Sequence, residues 1–560
     1  MTEKTKLYVV CMVLLLVFFL PRIALLFNGL DSQRLWDTNT GAAFQLLYSA
    51  RAGTTGSFYA TIQKYPLLGS YLFLPTIALY VGAGRVLGAF HSVSEFVYVY
   101  ALGETRVFFW IRLEMLVINI AALLLLFHVT ARFTGGNRRA GLFALLFAAV
   151  NFYVTLFSVQ PRIHSFAFAS TIVVMYTSFL LLEKKTLRRS LFAFGMAAIA
   201  GSVSQSGLTT LIYPILAHTL HDGKLRWQQP RSFLAGLGVF FFGVLMLGYP
   251  QALVLAFRNG LAGIYQVFLS TEHSQPLFGL GYVAKWIREY FLSADLASTW
   301  MLCLLFWFFV CVRRKYRLRF DAYDALAWAH VGLFLLVFGF SNVMTGRFLL
   351  GALPSFFFIF ARACVRLEKR KGVVYAVAFF LAVQAYGVTQ LSLIAFGGDT
   401  RNRAAKFLLA HTNENSRIIG TLDPVMLGVT PAPHSVLRGD VGSAGAIDTL
   451  IAERNLVGEK SRQYTYWHPN DGRVREEELS SFQYLLISSD HPDRHIGEDQ
   501  ALRNGFRIVE TFSPRHDADT KNRSMIAWSP VMPVSILPLP LQLRAFTSFG
   551  PTIVVYEKKL

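Results

Sequence analysis

Acidic residues are scarce where this chain begins. Between Glu3 and Glu95 there are two, Asp31 and Asp37. Cysteine is scarce everywhere. Cys11, Cys303, Cys311 and Cys364 are the full complement, all in or beside apolar runs and none at metal-ligand spacing. A disulfide framework and a zinc site are therefore excluded. Heptads, internal repeats and low-complexity tracts are missing too, which excludes coiled coils and solenoids.

Apolar residues are in excess. Of 560 residues 54% are hydrophobic and 50 are Phe, and the mean hydropathy is +0.44. Repeated apolar runs over the first 400 residues have the length of membrane-spanning helices. The first begins at Lys6 and leads into further runs, so it reads as a retained helix and not a cleaved signal peptide.

The net charge is +20, which on its own suggests nucleic acid. Its placement argues otherwise. From residue 401 onward 19 Lys/Arg face 18 Asp/Glu; the remaining 34 basic and 15 acidic residues lie in the apolar part. The excess sits in short loops at 1–6, 131–139, 184–189, 221–231, 313–319 and 362–371. This is the positive-inside pattern, so these loops are expected in the cytoplasm and no nucleic-acid partner is expected.

Holding those loops on one side fixes a path. Crossings are expected at 6–27, 107–130, 140–158, 165–182, 190–204, 207–220, 232–256, 298–312, 325–341, 347–361 and 372–396, eleven in all. The N-terminus is then cytoplasmic and the polar tail exoplasmic. The stretch 66–90 is left over. A single crossing there would invert every later loop, so it is either a half-inserted or interfacial segment on the outer side or half of a hairpin with 92–104; its Gly and Pro content favours the first, a broken helix packed on protein. The expected architecture is an α-helical polytopic membrane domain (1–397) with an outer loop (28–106), followed by an exoplasmic α/β domain (398–560). In that tail "RAAKFLLAHT" reads as a helix, and "SRIIGTL", "FQYLLISS", "FRIVETF" and "TIVVYEK" as strands.

This path puts the notable polar residues on the outer face: Asp37, Lys64, Arg112, Glu114, Arg162, His164, Glu272, His273 and Arg347. Ionisable groups at membrane depth are costly, which makes them functional candidates. Each also has a plainer reading. Asp37 in "WDTNTGAAF" fits a helix N-cap, and Asp31 a turn. Lys64 and Arg347 fit helix anchors that snorkel. Arg112 and Glu114 fit a structural ion pair, His164 a hydrogen-bonded tip, and Glu272 and His273 an ordered loop. In the tail, His434, His468, His491 and His495 lack metal spacing, and "NRS" at Asn522 has the form of a glycosylation sequon.

Order and side together carry a resemblance. A carboxylate soon after the first helix is followed by an amphipathic run and then "KYPLLGSYL". Further on come "STEHSQPLFGLGYVAKWIREYF" and "RFLLGALPSFFFI". This series resembles the GT-C superfamily of membrane glycosyltransferases, and within it the protein O-mannosyltransferases and lipid A aminoarabinose transferases. Thr38 stands where that family usually has a glutamate, and Ser206 lies near a usual lysine. The tip "QPRIHS" offers Arg162 and His164 in place of a second acid.

The resemblance implies a polyprenyl-phosphate-linked sugar donor, a lipid, glycan or protein acceptor, and transfer on the outer side of the plasma (inner) membrane. It implies Asp37 as general base with inversion, Lys64, Arg162 and Arg347 on the donor phosphate, and His164, Glu272 and His273 on substrate. Because the second acid is missing, no metal and no other cofactor is expected. Two other classes compete: a transporter or flippase of lipid-linked glycans, and a polysaccharide polymerase or ligase. A transporter is expected to show repeated halves, and none is seen. The early Asp-bearing loop and the tail domain speak against a polymerase. The lack of cysteine in the tail favours a bacterial or archaeal plasma membrane.

Overall fold

The computed structural model describes residues 18–27, 66–89, 91, 106–221, 224–225, 229–250, 252, 321–339, 346–367, 371–412, 416–420, 436–438, 465–468, 479, 481–488, 505–513, 524–526, 529–531 and 546–558. Helices dominate. They are α1 (Phe18–Phe27), α2 (Leu68–Tyr71), α3 (Leu74–Val86), α4 (Arg106–Arg132), α5 (Arg138–Ala149), α6 (Phe152–Leu156), α7 (Ile163–Glu183), α8 (Leu187–Val203), α9 (Ile212–Thr219), α10 (Pro230–Gly243), α11 (Ala322–Gly339), α12 (Leu353–Leu367), α13 (Lys371–Phe396) and α14 (Thr400–His411). Among the described residues four helical stretches are long and apolar enough to cross a membrane: Arg106–Arg132, His164–Glu183, Pro230–Gly248 and Val377–Phe396. The expected crossing at 298–312 lies outside the described residues.

Local chemistry sets where helices start and break. Asn137 opens α5 by accepting from the amides of Arg139 (3.0 Å) and Ala140 (3.4 Å). Thr186 opens α8 through Arg189 N, and Asp399 opens α14 through Arg401 N. Such caps are worth about 1 kcal/mol each. The crossing expected over 140–158 is two helices. Asn151 lies inside that run and caps a new helix through Val154 N at 3.1 Å. Asparagine favours caps over helix interiors because its short side chain competes for backbone groups. The crossing expected over 207–220 also divides, into a 3₁₀ turn (Gln205–Leu211) and α9. There the Thr209 and Thr210 hydroxyls donate to the carbonyls of Ser206 (2.7 Å) and Gly207 (2.6 Å). The stretch 66–90 is a broken helix, interrupted at Leu72–Phe73 between α2 and α3.

The bundle has two distinct ends. At one, the basic loops meet the few acids available. Glu183 receives Arg132 at 3.1 Å and Arg189 at 3.9 Å. Buried Asp324 receives Arg362 and Arg366, each at 3.0 Å, and Arg362 also bonds Asp321. Lys185 Nζ donates to the carbonyls of His218 (2.8 Å) and Leu220 (2.7 Å), closing the end of α9 beside the β1 (Leu220–His221)–β2 (Lys224–Leu225) hairpin. At the other end lie the tips 157–162 and 204–211.

After α13 the chain builds a six-stranded mixed sheet. Its strands are β3 (Arg417–Gly420), β4 (Val436–Arg438), β5 (Thr465–His468), β6 (Tyr484–Ser488), β7 (Phe506–Phe512) and β10 (Ile553–Lys558), in the order β4-β5-β3-β6-β10-β7. The left four are parallel, while β10 runs antiparallel to both neighbours. Strands β8 (Ser524–Ile526) and β9 (Ser529–Val531) form a separate hairpin. The strands read from sequence fall on β3, β6, β7 and β10. Alternation places Ile418, Leu486 and Val555 on the face covered by α14 (Ala404, Leu408), and Ile419, Leu485 and Tyr556 on the other. The sheet is tied to α13 by Phe549 N to Gly398 O (2.9 Å), Thr400 N to Phe549 O (3.0 Å) and Thr400 Oγ1 to Pro551 O (2.6 Å). Phe546 and Phe549 sink into the helical core.

Removing Arg362 leaves Asp324 buried with only Arg366 to answer it. Arg362→Met is expected to cost about 3 kcal/mol, because a buried charge loses its main partner. The pair Arg362→Met with Asp324→Leu recovers most of that loss. Thermal unfolding in detergent checks both.

Candidate functional site

Several chain segments meet around the tips. The Arg112 guanidinium, two turns into α4, donates to the carbonyls of Leu25 (3.5 Å) and Leu26 (3.3 Å), so a buried cation closes the end of α1. Glu114 instead accepts from Thr76 Oγ1 at 2.6 Å and pins α3 to α4. The ion pair expected between Arg112 and Glu114 does not form. Two residues apart on one helix they point to different sides. Phe73 and Ile77 of the broken helix pack on Val107, Phe108, Ile111 and Met115, together with Phe166 from α7 and Val203 from α8.

The first tip is built by one hydroxyl. Ser165 Oγ donates to Phe157 O (2.7 Å) and Gln160 O (2.8 Å), and Arg162 N closes a tight turn onto Gln160 O at 2.8 Å. Arg162 is the extended N-cap residue of α7, and His164 sits in its first turn with the Phe157 ring edge-on at 6.3 Å. Both side chains are buried. An anion brought here meets a guanidinium and a helix N-terminus together.

The second tip is the hub. Gly207 approaches α8 so closely that a Cβ there lies 2.0 Å from the Ala200 carbonyl oxygen, so the contact admits no side chain. Beyond α10 the helix widens into a π-turn (Val244–Gly248), and Tyr249 is buried just after it. Gly248 O accepts from Leu67 N at 2.9 Å. Pro66 and Leu67 are buried there, two and three residues past Lys64. A 3₁₀ turn, Gly346–Gly351, carries Arg347 and packs on α7 and on the Gln205–Leu211 tip.

Arg162 and His164 thus sit at the start of α7, and the turn that bears Arg347 packs on α6 and α7. Asp37, Lys64, Glu272 and His273 lie outside the described residues. Among those described, no three His, Cys, Asp or Glu side chains gather as metal ligands would. The sequence reading passed over Gln160, Gln205 and Tyr249. Their only signal was a polar group beside a Pro or Gly at a tip.

No protein-family profile matches the chain, and no curated protein does. Solved structures do. The chain resembles ArnT from Cupriavidus metallidurans in the apo state at 12% identity, over 99% of this chain and 98% of that one, with a TM-score of 0.47. It resembles the same protein bound to undecaprenyl phosphate at 11% identity, over 91% and 97%, with a TM-score of 0.48. ArnT is a lipid A aminoarabinose transferase, one of the two groups that the motifs resemble.

Gly207→Ala is expected to unseat the hub. The Cβ meets backbone and not a side chain that can turn aside, so the cost is about 3 kcal/mol. Ser204→Ala, which trims one hydroxyl at the same tip, costs about 1 kcal/mol. Paired thermal melts separate the two.

Proposed function

We propose that this chain is a membrane glycosyltransferase that moves a sugar from a polyprenyl-phosphate donor to an acceptor hydroxyl on the exoplasmic side. The observation that supports the reading is that the turn bearing Arg347 packs on α7, the helix that Arg162 caps, while Leu67, three residues past Lys64, bonds Gly248. The described parts of the basic loops at 131–139, 184–189 and 362–367 meet at another end of the bundle, where the charge pattern calls for cytoplasm.

Asp37 acts as general base. It takes the proton of the acceptor hydroxyl as the acceptor oxygen bonds the anomeric carbon. The bond from that carbon to the phosphate oxygen breaks on the opposite face, and polyprenyl phosphate leaves with the electron pair. The product is inverted. Lys64, Arg162 and Arg347 meet the charge that grows on the departing phosphate. The arginines suit this because their planar forks bond two phosphate oxygens at once. His164, Glu272 and His273 bind substrate hydroxyls. No divalent ion is required, since cationic side chains supply the positive charge. The membrane lies so that the sheet after α13 is exoplasmic, with the N-terminus in the cytoplasm of a plasma (inner) membrane. The parent sugar, pentose or hexose, is set by groups around the tip.

Purified protein supplied with polyprenyl-phosphate sugars is expected to release polyprenyl phosphate. Asp37→Asn lowers turnover by about 100-fold or more while the donor still binds. Arg162→Ala weakens donor binding by about tenfold, a charge-assisted pair being worth that much. A chelator leaves the rate unchanged. Movement of the lipid across vesicles with no release of polyprenyl phosphate would sink the transferase and leave a flippase.

A further inference from the structure

Deep to the tip, four buried polar side chains form a single chain across three helices. Tyr213 OH lies 2.7 Å from Ser355 Oγ, Ser355 Oγ 2.7 Å from His330 Nδ1, and His330 Nε2 3.1 Å from Thr209 Oγ1. Thr209 Oγ1 in turn donates to Ser206 O at 2.7 Å. All four residues are buried.

The direction of every proton follows. Ser206 O can only accept, so the Thr209 hydrogen is spent there and Thr209 must accept from His330. His330 therefore carries its hydrogen on Nε2, and its bare Nδ1 accepts from Ser355. Ser355 is then left to accept from Tyr213. A neutral imidazole satisfies the whole chain, with each group giving and taking in one sense.

The placement of the chain is informative. Thr209 and Ser206 belong to the Gln205–Leu211 tip. Ser355 lies four residues after Gly351, which ends the Arg347 turn. Phe334, one helical turn beyond His330, and Ser206 clasp that Gly351. A Cβ on it lies 3.1 Å from the Phe334 ring and 3.3 Å from Ser206 Oγ. One imidazole thus bridges the tip to the helix that continues the Arg347 turn. Apolar packing alone tolerates sliding between helices, whereas a directed hydrogen-bond chain admits one register.

We propose that His330 is a positioning residue: through Ser355 and Thr209 it sets the Arg347 turn against the Gln205–Leu211 tip, and so tunes affinity for the donor phosphate. This rests on the reading of Arg347 as a phosphate ligand. A group that touches no substrate then governs phosphate affinity from below the site.

The test is binding of polyprenyl phosphate to the purified full-length protein in detergent, with thermal midpoints measured alongside. Arg347→Ala serves as the reference. His330→Phe is expected to weaken binding about tenfold, and His330→Gln, whose amide again offers a donor and an acceptor, to recover most of it. The decisive variant replaces all four groups with apolar ones: Tyr213→Phe, His330→Phe, Ser355→Ala and Thr209→Val. It strands no hydroxyl and keeps its thermal midpoint, so continued weak binding supports positioning. Binding restored to the wild-type level in that variant would show the chain to be structural and overturn the proposal. Should the fourfold variant not fold, Ser355→Ala alone decides: about tenfold weaker binding supports the proposal, and wild-type binding overturns it. If Arg347→Ala itself binds as wild type, the phosphate-ligand reading fails and the proposal falls with it. If Arg347→Ala binds weakly and the His330 variants bind normally, only the proposal fails.

Discussion

A bilayer interior offers no water to a stranded hydrogen-bond donor. A polar group inside this bundle is therefore costly unless it finds a partner in the chain itself. That constraint explains why Asn151 starts a new helix in the middle of an apolar run. It explains why Thr209 and Thr210 bond back to their own turn, and why Arg112 sits on the open carbonyls of α1. Helix breaks are tolerated only where such partners exist, and they fall at the tip end.

The same constraint divides the two ends. At the basic end, acids and arginines neutralise one another in short ion pairs, Glu183 with Arg132 and Asp324 with Arg362 and Arg366. These pairs lock α4 to α7 and α11 to α12. At the tip end the cations Arg112 and Arg162 are buried beside broken helices and helix termini. An end that is locked by its own acids suits a scaffold. An end rich in donors and poor in acids suits an anionic ligand. The mixed sheet joins the bundle at this end through the Gly398–Phe549 and Thr400–Pro551 contacts, so it shares the side on which the candidate site lies.

The outline was legible before any coordinates. Apolar length marked the long helices, since a run of about twenty residues has few other uses. Alternation marked β3, β6, β7 and β10, because one residue in two must face a core. The Gly and Pro content of 66–90 marked a broken helix. What misled was reading runs without their caps. Residues 140–158 look continuous until Asn151 is counted as a cap for the amide of Val154, and 207–220 looks continuous until Thr209 and Thr210 are counted as donors to their own turn. Arg112 and Glu114 looked like partners because they are neighbours in sequence, yet helical geometry turns them apart. Strands β4 and β5, of three and four residues, were not read from the sequence.

Of the candidate residues, sequence order alone put Arg162, His164 and Arg347 on one face, because charge in the short loops fixes which tips share a side. That logic acts along the chain and needs no contacts. It says nothing of which tips touch. The meeting of Leu67 with Gly248 and of His330 with both Thr209 and Ser355 joins residues 25 to 181 positions apart. Only packing decides such contacts, since hydrogen bonds between helices depend on register and rotation, which apolar periodicity leaves open. The sequence by itself determined a membrane bundle with a polar tail and one acid-poor face. The tertiary structure decided that the face closes on the Gln205–Leu211 tip, where a glycine admits a backbone and a buried histidine sets two segments against each other.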